Sequence, residues 1–80
     1  MSAESAAALQ EGLARAHWTI TDLWVASVGI GGSFARTDVE HITAGTRNAT
    51  QAEHNILAAA VNDHLTDQGL DQPVDYWHDL

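Results

Sequence analysis

The feature that most constrains this chain is one helix written out with both of its ends. Thr50-Gln51-Ala52-Glu53 forms a capping box, in which the threonine oxygen accepts from the amide three residues on and the glutamate reaches back. Apolar residues then recur at helical spacing to about Gln68, and Gly69 stands where a left-handed residue closes a helix. Projected at about 100° per residue, Ile56, Leu57, Ala60, Val61 and Leu65 share one face. Asn55, Ala59, Asn62, Asp63 and Thr66 take the other.

The remainder reads as helix too. Over residues 2 to about 29, Leu9, Leu13, Ala16, Ile20, Leu23 and Ser27 recur at spacings of three and four, with Trp24 and Val28 widening the stripe. Ser2 is the cap at its start. Gly12 and the β-branched run Thr19-Ile20-Thr21 weaken its middle, yet one long or kinked helix is preferred to two separate ones. Gly29, Gly31 and Gly32 end it, and also suit close backbone approach to a neighbouring helix. Thr37-Asp38-Val39-Glu40 is a second capping box, opening a short helix over about residues 38–44 that stops at Gly45. Val39 and Ile42 give it a buried edge, with Phe34 packing just before it. The fold expected is all-α: a small bundle of three to four helices in a single domain, 1–80, with an aromatic tail over 71–80.

Charge limits the partners. The chain has no lysine and only Arg15, Arg36 and Arg47 against eleven acids, a net charge of −8 on 80 residues. Phosphate backbones and anionic lipids are bound chiefly through Lys and Arg, so nucleic acid and membrane are both disfavoured. Residues 1–8 carry Glu4 and no basic cluster, unlike a signal peptide. No apolar run is long enough to span a bilayer, and the simplest expectation is a cytoplasmic protein. With no cysteine there is neither disulfide nor thiolate metal site. Much of the apolar fraction is alanine, which buries little area. Such a small core is expected to be marginal alone and favours a homodimer.

Candidate chemistry is sparse. His64 projects into the middle of the apolar arc of the last helix, where it reads as a half-buried histidine bonded to a carbonyl or an acid rather than as a metal ligand, since no second ligand lies one turn away. Glu40-His41 and Glu53-His54 are adjacent pairs whose side chains diverge. His17 and His78 complete the set without an H-E-x-x-H or H-x-H spacing. There is no nucleophile motif. Gly29-Ile30-Gly31-Gly32-Ser33 follows a helix and lacks a lysine, so it reads as a helix terminator and not a phosphate loop. No catalytic residue, cofactor or metal is assigned. In the tail, Val74 and one ring are expected to cover the end of the core, with a docking peptide as the alternative. Large rings concentrate binding energy, which makes Trp18, Trp24, Tyr76 and Trp77 the expected anchors for a protein partner. Asp22, Asp75 and Asp79 would steer a basic partner.

Two resemblances bear on this. Residues 37–70, a short helix ending at glycine, a polar loop and an Ala/Leu-rich helix, resemble the later part of a phage-repressor-type helix-turn-helix domain. That implies a transcriptional regulator, but Asp38 and Glu40 would open its recognition helix and face the phosphates. Leu23-Trp24, Gly31-Gly32, Val39-Glu40, Gly45 and the run from Glu53 to Asn62 are similar to a group of short actinobacterial helical proteins with an LW…GG…VE…G…H-x-ILA-x-A-x-N pattern. This second likeness implies a helical regulatory or adaptor-type protein and supplies no mechanism. The expected function is a non-enzymatic, acidic protein-interaction module. A helix-turn-helix regulator and a His/acid metal-binding protein are the alternatives.

Overall fold

The computed structural model describes the backbone of residues 2–80 and side chains from residue 3 onward, so the cap expected of the Ser2 side chain lies outside what is described. Four α-helices and one 3₁₀ turn make up the ordered elements: α1 Ser2–Ala16, α2 Ile20–Gly29, α3 Arg36–Ala44, α4 Gln51–Asp67 and the turn Trp77–Asp79. The helical bundle expected from the periodicity is present. α1 and α2 each pack on both α3 and α4. Leu9, Leu23, Val39, Ile42, Leu57, Val61 and Leu65 are fully buried between them.

The expected long N-terminal helix is instead two. α2 begins with its own capping box: Thr19 Oγ1 accepts from the Asp22 amide at 3.2 Å, and Asp22 Oδ2 accepts from the Thr19 amide at 2.9 Å. Before it, α1 closes through Trp18 N–H to Leu13 C=O (3.0 Å) and His17 N–H to Ala14 C=O (3.3 Å). This paired 6→1 and 5→2 closure is a Schellman motif, and the same pair of bonds ends α2, α3 and α4. In those three the left-handed residue is glycine, Gly31, Gly45 and Gly69; in α1 it is His17, at φ 55°. The break was hidden because its terminator lacks the usual residue.

An L-residue in this conformation costs about 1–2 kcal/mol, and glycine's extra unfolded-state freedom takes back about 0.5–1 kcal/mol. His17→Gly is therefore expected to stabilise the exposed turn by about 0.5–1 kcal/mol, read as a raised midpoint in urea unfolding.

α3 opens two residues earlier than its threonine suggested. Asp38 Oδ2 accepts from the Ala35 amide at 3.1 Å, so the aspartate and not Thr37 ties the first turn. The box at Thr50 forms as read, with Glu53 N–H to Thr50 Oγ1 at 3.1 Å and Thr50 N–H to Glu53 Oε1 at 2.9 Å. Glu53 also accepts from Arg47 at 2.7 Å. Partial burial pushes the Glu53 carboxyl up, but the Thr50 amide and the Arg47 guanidinium outweigh it and hold the group below its ordinary value. A carboxylate lowered in the folded state adds stability above its unfolded value of about 4.3 and loses it as pH falls through the folded value. Glu53→Gln should thus flatten the drop in melting temperature between about pH 5 and pH 3, measured against the parent.

The buried face of α4 is rotated from the expected arc toward His54 and Ala58, both fully buried, leaving Ile56 at its margin. Val28, placed on the stripe by spacing, is 49% exposed on the outer side of α2. Close helix approach occurs at Gly12 and not at the glycine cluster. A Cβ on Gly12 would overlap Val74 and lie 3.0 Å from Val61 Cγ1. A poor helix former sits in α1 because the tail crosses there.

Candidate functional site

The four expected anchors do not form one cluster. Trp24 is half-buried, its indole Nε1–H donating to Phe34 C=O at 2.9 Å, so it braces the turn after α2. Trp77 packs edge-on to the His54 ring, centroids 6.0 Å apart, and its amide donates to Asn55 Oδ1 at 2.8 Å. As expected, Val74 is buried, while the Trp77 ring lies against the buried His54 ring. Asn55 and Asn62, on the face opposite the expected apolar arc, lie half-buried where they bond the tail's main chain.

Trp18 and Tyr76 stand instead at the two ends of a groove between α2 and α4. Two adjoining depressions share Ile30 and Asp63. The first runs from Tyr76 over Ala59 to Ile30, and the second from Ile30 over Ala60 to Trp18 and His64. Ile30 is 47% exposed because the Schellman turn at Gly31 lifts it off the end of α2. Val25, 59% exposed, is a further apolar side chain on the surface of α2. The floor is thus small and apolar, with an aromatic at each end.

Its charge has one sign. Asp63 and Asp67 line it. Each arginine is held elsewhere: Arg15 by Glu11 at 3.4 Å, Arg36 by Glu40 at 3.4 Å and Arg47 by Glu53 at 2.7 Å. The Arg15 and Arg36 pairs are exposed and add little stability, but all three pairs leave the groove carboxylates without an arginine partner. Of the acids expected to steer a partner, Asp22 is engaged in its capping box, while Asp75 and Asp79 are exposed on the tail. Asp67 and Ile30 were the residues missed. Asp67 follows Asp63 by one turn, a signal available in the sequence, whereas the exposure of Ile30 depends on the turn after it.

His64 is half-buried as expected but stacks on Trp18, ring centroids 4.3 Å apart and 25° from parallel. The buried, hydrogen-bonded histidine is His54. Its Nδ1 lies 2.7 Å from Ser5 Oγ and its Nε2 lies 2.8 Å from Asp75 C=O. A carbonyl only accepts, so Nε2 carries a proton and donates to Asp75 C=O, while Nδ1 pairs with the Ser5 hydroxyl. Among the described residues, no group of three or more His, Cys, Asp or Glu is placed to hold a metal ion. No helix among them is long and apolar enough to cross a membrane.

Fold and groove together define a small all-α module that carries an acid-lined apolar cleft between α2 and α4. No protein-family model matches the chain, and no curated protein or solved structure does.

Proposed function

We propose that the chain is a non-enzymatic interaction module that presents the α2–α4 groove to a cationic amphipathic helix of another protein. The observation that carries this reading is the pairing of an apolar floor at Ile30 and Ala60 with Asp63 and Asp67, while all three arginines are spent in ion pairs. An amphipathic helix seats its apolar stripe in such a groove, and cations flanking the stripe meet the carboxylates and speed encounter. The same charge argues against duplex DNA: Asp38 and Glu40 lie in α3, the helix that the helix-turn-helix likeness would place against phosphates.

The test is calorimetric titration with a synthetic Leu/Ala/Lys helix of about five turns, beside a scrambled peptide of equal charge. Saturable binding to the striped peptide alone is expected. Asp63→Asn with Asp67→Asn should weaken it about tenfold at low salt, with a smaller loss at high salt. Equal binding of the scrambled peptide, or none of either, defeats the reading.

A second copy of the chain is the other occupant with support, because Val25 and Val28 leave an apolar edge on α2. Sedimentation of dilute protein distinguishes the two: a folded monomer at micromolar concentration removes the homodimer.

A further inference from the structure

The tail is held as a bound peptide is held, through its main chain. Asn62 accepts from Val74 N–H at 2.6 Å and donates to Val74 C=O at 3.0 Å. His54 donates to Asp75 C=O, and Asn55 accepts from Trp77 N–H. Val74 drops into the notch that Gly12 leaves open against Val61. Residues 68–73, which join this segment to α4, are exposed, and Arg15 reaches across to Gln72 C=O at 3.1 Å. Between the anchored residues, Tyr76 is the one whose side chain lines the groove, beside Ile30, Ala59 and Asp63.

We infer that residues 74–77 are a tethered strap whose docking on α4 builds one wall of the partner groove, so that strap docking and partner binding are coupled. The inference rests on the groove reading above. A ligand that binds only the docked form sees its affinity scaled by the docked fraction. By reciprocity, the ligand must hold the strap down by the same factor. Nothing in the strap's polar ties reads a side chain, so its position depends on the Val74 notch and on the three α4 residues beneath it. Gly12 lines neither depression of the groove, which makes it a place to release the strap without altering a lining side chain.

The experiment uses the full chain, the striped Leu/Ala/Lys peptide as probe, and amide hydrogen exchange at Val74 and Trp77. Gly12→Ala forces its methyl into Val74 while favouring helix in α1, so α1 should persist as the strap lifts. The two amides should exchange at least about tenfold faster, and the probe should bind about tenfold more weakly, both following a docked fraction near one-tenth. In the parent, saturating probe should slow exchange at both amides. Tyr76→Ala should weaken the probe while leaving both amides protected. If Gly12→Ala loses its helical signal, Val74→Ala replaces it. Unchanged exchange in the variant overturns the strap. Faster exchange with undiminished probe affinity overturns the coupling and leaves the groove standing. Faster exchange with no probe binding even to the parent refutes the groove, and with it the coupling.

Discussion

His54→Ala is expected to lower the free energy of unfolding by about 3–4 kcal/mol. The ring is fully buried and joins three parts of the fold: Ser5 in α1, its own helix and the Asp75 carbonyl of the tail. Truncation leaves a cavity and deprives the buried Ser5 hydroxyl of its partner, an unsatisfied buried group costing about 1–3 kcal/mol, and it also releases the Asp75 carbonyl of the tail. An 80-residue domain has about 4–12 kcal/mol in all, so the variant should lose about a third or more of its stability. His64→Ala is the control. Its ring stacks on Trp18 but is half-exposed, and the loss should stay near 1 kcal/mol. Urea unfolding of both variants decides the matter. Equal losses would remove His54 from the centre of the fold.

That contrast marks where the sequence stopped being legible. His64 drew notice because helical projection set it among apolar neighbours, and projection uses only local spacing. The partners of His54 lie 49 and 21 residues away, and nothing near Glu53-His54 points to them. The same limit explains Asn55 and Asn62: spacing sets them opposite the apolar arc, but says nothing of the tail that returns over α4 and whose backbone they serve. Local devices were readable. The Thr50 box and Gly69 fix both ends of α4 and Gly45 the C-terminal end of α3, because capping is chemistry between residues three to five apart. The break before α2 was half-written, with Thr19 and Asp22 present and histidine in the glycine's place.

The groove was legible only in its parts. Trp18, Tyr76 and Asp63 were singled out or placed on an outer face, but their meeting depends on how α2 turns away at its end. Without the lift of Ile30 there would be two shallow dents and no continuous apolar floor. The turn after α2 is therefore the local structure on which the functional reading depends.

Gly32→Ala tests that turn directly and should cost about 2–3 kcal/mol. A Cβ there would sit 2.8 Å from the Ser27 carbonyl oxygen and 3.1 Å from the Phe34 ring. The oxygen is backbone and already accepts from Gly32 N–H at 2.8 Å, so it cannot move without opening the end of α2. The Phe34 ring is half-buried and packed against the core, which limits how far it can give. Gly29→Ala, three residues earlier, meets nothing within 4 Å and should gain up to about 1 kcal/mol from helix propensity. In a domain of this size 1 kcal/mol moves the melting temperature by about 4–8 °C. The Gly32 variant should therefore melt some 10–20 °C below the parent, while the Gly29 variant should melt at or above it. Thermal melts followed by circular dichroism read both. A Gly32 variant that melts with the parent would mean the turn is built differently, and Ile30 would lose its place on the groove floor.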